Sequence, residues 1–246
     1  MSKNVSSFIC KLDKLNDERV PVFIPSLKKK ITVRPLNLKQ QKDLISSVLD
    51  GIRGQLDFTK TINKIIIENS GLTDLKIYDK LPFTINLRKE ALGNIVNVEQ
   101  ETVELQRILN NLENIPFKLK PERSVKYKNL KINLEVPTLS QENTILSNCE
   151  QHLETESDTL KNDVGQLYIF EIVKYIKSVE MDDESVDMSE IRISERIKLI
   201  ESLPLAAYKQ IAKFMQDIDN YQNDVLTVDD YELAVDPLFF DNSSVN

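Results

Sequence analysis

Cys149 and His152 are the side chains in this sequence best suited to bond chemistry, and their spacing puts them on one side of a helix. A Cys-x-x-His pair supplies half of a zinc site, and tetrahedral zinc needs two further soft ligands. His152 is the only histidine and Cys10 the only other cysteine, so a second chain would have to complete such a site. A Cys149–His152 nucleophilic dyad needs a third group to orient the imidazole and surroundings that favour thiolate, and the nearby glutamates oppose a thiolate. Asp182-Asp183-Glu184 lacks the alternating acids, mid-loop glycine and distal glutamate of a calcium loop and reads as an exposed turn. The glycines Gly51, Gly54, Gly71, Gly93 and Gly165 fall in no phosphate-cradling pattern. The residues point to no catalytic centre, no cofactor and no metal. A non-enzymatic protein that works through contacts is expected.

Two segments are candidates for those contacts. Basic residues gather at Lys28-Lys29-Lys30 with Arg34, and again at Lys118, Lys120, Arg123, Lys126, Lys128 and Lys131. In the second group, Lys126, Lys128 and Lys131 would give a ribbon a positive face. That face would steer an acidic partner or another copy's acidic end into register, or else be a solvated face that discourages edge pairing. Single-stranded nucleic acid would call for interleaved exposed aromatics, and only Tyr127 qualifies, so no nucleic-acid partner is expected. The other segment is Asp236-Pro237-Leu238-Phe239-Phe240. Its aromatic pair is either tucked into this chain's own core or docked on a neighbour, and a short docking arm is the favoured reading. Deleting residues 228–246 would then weaken partner binding and leave the fold intact. The net charge of −7 is concentrated here: eight acids and no Lys or Arg lie between Asp217 and Asn246. Such a stretch is repelled by nucleic acid and anionic lipid.

The 41% hydrophobic and 29% charged content fits a soluble globular chain. No apolar run approaches the ~20 residues of a membrane helix, and no membrane partner is expected. The first residues have no apolar core of the secretory kind, and two distant cysteines fit a reducing compartment, so a cytoplasm is the simplest setting.

The elements that must position these residues are legible in outline. Residues 1–19 are polar and expected to be flexible. Val22-Phe23-Ile24 and Ile31-Thr32-Val33 flank a polar turn, the pattern of a β-hairpin, and Pro35 ends the second strand. Asn37 then caps a helix with Leu38, Leu44, Ile45, Val48, Leu49 and Ile52 on one face. Gly51 and Gly54 break it, and further helices are expected over 57–69, ending at Gly71, and 82–92, ending at Gly93. Residues 97–114 read as one helix. Alternation at 117–120, 125–127 and 130–136 predicts antiparallel strands, and Thr138 starts a helix by capping-box spacing. Residues 151–163 read as a loop or frayed helix. Val164 to Val179 form a helical stripe, 181–185 a turn, Ser189 caps a helix carrying Ile193, Ile197, Ile200 and Leu203, and Pro204 opens a last helix with Leu205 and Ile211 inward. The fold class expected is helix-rich α+β, with an N-terminal hairpin, central antiparallel strands and a C-terminal helical part. Its parts are a lobe at 20–115, a lobe at 116–222 and an acidic tail at 223–246.

Ile24-Pro25-Ser26-Leu27, a basic turn, Val33-Arg34-Pro35-Leu36 and a Lys/Gln-rich helix, in that order, resemble the start of the T-even-type phage baseplate hub family. Leu81-Pro82-Phe83 with Leu87-Arg88 and Gly93, Leu134-Glu135-Val136-Pro137-Thr138-Leu139, the paired segments 197–203 and 211–215, and the terminal Phe239-Phe240 are similar to later blocks of that family. The family's Cys-x-x-Cys pairs, which suggest a zinc ribbon, are missing here, so that metal does not carry over. The resemblance implies a hub component or hub assembly factor. Other phage tail or baseplate hub proteins would be its partners, in the host cytoplasm during assembly and in the virion's tail baseplate. The alternatives are a transient tail-assembly chaperone absent from the finished particle, an enzyme with dispersed carboxylates, or a nucleic-acid adaptor. Oligomeric state is left open.

Overall fold

Strand β1 (Val20–Ile24) pairs antiparallel with β2 (Lys29–Val33), with Val22 opposite Ile31. The turn between them is a 3-10 segment, Pro25–Leu27, closed by Lys28 in the left-handed region. Val22, Ile24 and Val33 are buried, the alternation the strand period requires. In this computed structural model the described residues are 18–47, 52–98, 101–156, 160–229 and 231–240. Cys10, Val48, Leu49 and Gly51 lie outside them.

Asn37 caps α1 (Leu38–Ser46): its side chain accepts from the Gln40 amide, and Gln40 Oε1 accepts from the Asn37 amide. Leu44 is buried, but Leu38 is 83% exposed, so the expected apolar face is narrower than the sequence suggested. Helix α2 (Ile52–Ser70) runs through Gly54. The predicted break is therefore absent at that glycine. Burial of Leu56, Phe58, Ile62, Ile65 and Ile66 outweighs the ~1 kcal/mol that glycine costs a helix. Gly71 ends α2 and Gly93 ends α3 (Lys80–Leu92), each at positive φ and each donating its amide four residues back. A Cβ on Gly93 would meet nothing within 4 Å, so Gly93→Ala acts through the backbone alone. It is expected to lower stability by about 1 kcal/mol, read as a shift of the urea midpoint.

Residues 97–114 are not one helix. Strands β3 (Ile95–Val98) and β4 (Glu101–Glu104) form a hairpin, and only α4 (Leu105–Asn114) is helical. β-branched Ile95, Val96, Val98, Thr102 and Val103 prefer a pleated surface, and Val96 and Val103 are buried opposite each other. Leu105, Ile108 and Leu112 face inward as the helical spacing predicted.

The central sheet is antiparallel, in the order β5 (Glu122–Tyr127), β6 (Leu130–Glu135), β7 (Ile176–Met181), β8 (Glu184–Asp187). Residues 117–120 precede it as irregular chain rather than as a strand. Helix α5 (Leu139–Glu156) starts at the predicted Thr138–Gln141 capping box. Of the two readings of residues 151–163, the helical one is found: α5 continues to Glu156, and α6 (Leu160–Val173) follows. The helical stripe expected to reach Val179 stops at Val173. Ile176 and Val179 belong to β7 because β6 needs a partner on its second edge, and Val179 pairs with Ile132. Asp182 makes the expected turn at positive φ.

Helix α7 (Ile193–Glu201) is capped by Arg192 with Glu195, not by Ser189, which sits in a 3-10 turn held by Asp187. Helix α8 (Leu205–Leu226) follows Pro204 with Ala207, Ile211 and Ile218 inward, but Leu205 is 68% exposed. α8 extends into the supposed tail and is followed by the short hairpin β9 (Thr227–Val228) and β10 (Tyr231–Glu232) and a 3-10 turn, Pro237–Phe240. Helix α2 packs on α5, α8 packs on β5 and α4, and one contiguous set of buried side chains runs from Val22 to Phe240. The fold is α+β, helix-rich, with the hairpin at its start.

Candidate interaction surfaces

Phe239 and Phe240 turn inward. Phe240 is 0% exposed, with its ring 6.2 Å from that of Phe58 and 5.5 Å, edge-on, from that of Phe239. The turn rests on α1, α2 and α3. Arg88 on α3, itself 0% exposed, donates from Nε to the Phe239 carbonyl at 2.7 Å and from Nη1 to the Gly93 carbonyl at 3.2 Å. Its Nη2 meets no acceptor among the described residues. Asp236 accepts from the Phe239 amide, and Leu238 points outward, 55% exposed. The expected exposed aromatic anchor is thereby corrected, and so is the expectation that residues 228–246 can be deleted without harm to the fold. Burying each ring stabilises by roughly 1.5–3 kcal/mol, which keeps the pair in the chain's own core.

The basic ribbon is divided by the strand period. Lys126 and Lys131 are cross-strand partners on the face of the sheet away from Val125 and Ile132. Lys131 Nζ lies 3.0 Å from both carboxylate oxygens of Glu180, and Asn133 donates to Glu180 and to Ser178. Lys128 occupies the β5–β6 turn at φ 54°, with its ammonium 5.4 Å from the centre of the Tyr127 ring. Arg123 goes the other way, pairing with Asp217 of α8 at 2.5 Å and lying over the Phe214 ring. The outer face is thus polar and mixed in charge, with Lys126 and Lys128 exposed beside it.

A second arrangement had no sequence signature. Glu142 of α5 is buried, and its Oε2 accepts from Lys80 Nζ and Asn63 Nδ2, each at 2.7 Å. Its Oε1 accepts from Lys174 Nζ at 3.1 Å, and Lys174 also pairs with Glu171 at 2.6 Å. Burial alone would raise the Glu142 carboxyl, but the charges of Lys80 and Lys174 outweigh it and hold the group down at about 2. Burial works against the Lys174 ammonium, and Glu171 and Glu142 overcome it to push that group above the usual lysine range. The five residues come from α2, α3, α5, α6 and the turn after α6, so the network ties those elements together. It lines a cleft of about 580 Å³ whose further walls include Asp219, Tyr168 and the segment Leu233–Asp236. The one available hint was the pair Glu171 and Lys174, three residues apart inside the otherwise apolar run from Phe170 to Ile176.

Cys149 is buried, and burial pushes its thiol up to about 12, the opposite of an activated nucleophile. His152 follows one turn later on α5. Among the described residues no group of three or more His, Cys, Asp or Glu is placed to hold a metal ion, and no helix is long and apolar enough to cross a membrane.

Fold and surfaces together define a helix-rich α+β protein whose buried charges act as cross-links and whose polar sheet face is turned outward. Residues 18–226 match the family described as T4 bacteriophage base plate protein, and the chain belongs to that family. It is therefore a phage baseplate structural or assembly protein, and the resemblance read from residues 22–49 holds at the level of the baseplate. No curated protein and no solved structure matches the chain.

Proposed function

We propose that this protein is a component of the baseplate hub, or a factor that assembles it, and that it acts by contact without making or breaking bonds. Membership of the baseplate family over residues 18–226 is the observation that carries this reading. Its partners are other tail or baseplate hub proteins, met in the host cytoplasm during assembly. The outer sheet face is the proposed contact, with Lys126, Lys128 and Lys131 steering an acidic partner surface. Asp236, Pro237 and Leu238 form a secondary contact beside the buried Phe239 and Phe240. The mixed charge of the sheet supports register and partner choice more than raw affinity.

Changing Lys126, Lys128 and Lys131 together to Glu is expected to weaken capture of baseplate partners from infected cells by roughly tenfold or more. The circular dichroism spectrum should not change, because none of the three is in the core. Capture at the unaltered level would remove the sheet face from the proposal. Mass spectrometry of purified virions separates a resident component, which is present, from a transient chaperone, which is absent.

A further inference from the structure

The segment Pro237–Phe240 is seated like a bound peptide. It packs on α1, α2 and α3, which lie in the first hundred residues, while its own covalent attachment is at the far end of α8. Recognition is specific: the Phe240 ring is enclosed beside Phe58, and a fully buried Arg88 reads the Phe239 main chain through Nε. The Nη2 of Arg88 is buried and meets no acceptor among the described residues.

The tether is thin. Leu233 is the last buried residue before the turn, and its amide donates to the Leu226 carbonyl at 3.2 Å. Ala234-Val235-Asp236 then leads to Pro237, with Ala234 and Asp236 exposed and Val235 half-buried against the core. The residue before a proline is biased towards extended backbone, which favours an open tether over a tight one. Upstream, the Arg107–Asp229 ion pair is exposed and holds the strap only weakly.

We propose that the groove formed by α1, α2 and α3 is a docking site filled in cis by residues 237–240, and that it accepts the same segment from a second copy of this chain. The cis occupant is itself the argument for that partner, since the groove's aromatic seat and buried guanidinium are fitted to this sequence. Reciprocal exchange re-forms every contact of the closed monomer, so its cost is confined to the tether, and two copies close as a symmetric pair. In a single dilute chain the cis seat has the higher effective concentration, and exchange becomes favourable where copies are held side by side.

The test follows the tether. Deleting Ala234 and Val235 shortens it by about 7 Å, which is expected to strain the cis seat and leave a seat on a second copy unstrained. Native mass spectrometry and light scattering of the full chain should then show dimers at a concentration roughly tenfold or more below that of the unaltered protein. Adding Phe239→Ala and Phe240→Ala to the shortened chain should abolish the dimer. An excess of a synthetic peptide of residues 229–246 should convert the shortened-chain dimer to monomer, an outcome that needs no second variant to fold. A shortened chain that stays monomeric at every concentration, or a dimer indifferent to the peptide, would overturn the proposal.

Discussion

Glu142→Ala is expected to destabilise the protein by about 3–5 kcal/mol, measured by urea unfolding, because it leaves the Lys174 ammonium buried beside a cavity. Glu142 accepts from Lys80, Lys174 and Asn63, and Lys174 is almost wholly out of solvent. Glu171 alone then faces Lys174, and its own side chain is half-exposed. Glu142→Gln preserves the shape and should still lose much of this stability, since an amide cannot neutralise two ammonium groups. A loss below about 1 kcal/mol for either variant would mean that the lysines find water instead.

The same residue gives the protein an acid limit. The Glu142 carboxyl sits at about 2 when folded against an ordinary 4.5, so its contribution is present above pH 4.5 and is lost as pH falls towards 2. The difference corresponds to about 3 kcal/mol. Asp79 behaves oppositely. Burial raises its carboxyl to about 6, against the hydrogen bonds from Ser26 and the Lys76 amide. Its contribution is complete below about pH 4 and is lost as pH rises through 6. Stability should therefore peak between these limits and decline on both sides. In Glu142→Gln the acid limb should flatten, and in Asp79→Asn the rise from pH 6 towards 4 should vanish.

Phe240→Ala should cost about 3–5 kcal/mol, a cavity-forming loss combined with the tilted ring contact to Phe58 and the edge contact to Phe239. Leu238→Ala, two residues away and facing outward, should change stability by less than about 0.5 kcal/mol. The contrast is the measurement: equal, small effects at both positions would show that the segment does not sit in the core. Denaturant midpoints of the two variants, taken under one condition, decide it.

Several features were legible because they depend on neighbours along the chain. The Asn37 and Thr138 caps, the glycine stops at Gly71 and Gly93 and the Asp182 turn are local backbone chemistry, and all are found where they were expected. The hairpin's Val22, Ile24 and Val33 likewise announce their face by a period of two. The errors arose where local preference and tertiary pairing diverge. Ile172, Tyr175, Ile176 and Val179 keep helical spacing, yet the last two lie in a strand because β6 offers them a ladder edge. Gly54 stays helical because the face it interrupts is buried.

By itself the sequence determined a helix-rich α+β chain opening with a hairpin, and it carried the blocks of a baseplate protein, because caps, turns and apolar periods act within a few residues. Only the tertiary structure decided where the long-range partners fall. Glu142 meets Lys80 and Lys174, Arg88 meets Phe239, and the terminal aromatics choose the chain's own core over an outside surface. Those outcomes rest on desolvation, which depends on what surrounds a side chain in space and leaves no trace in the spacing of residues along the chain.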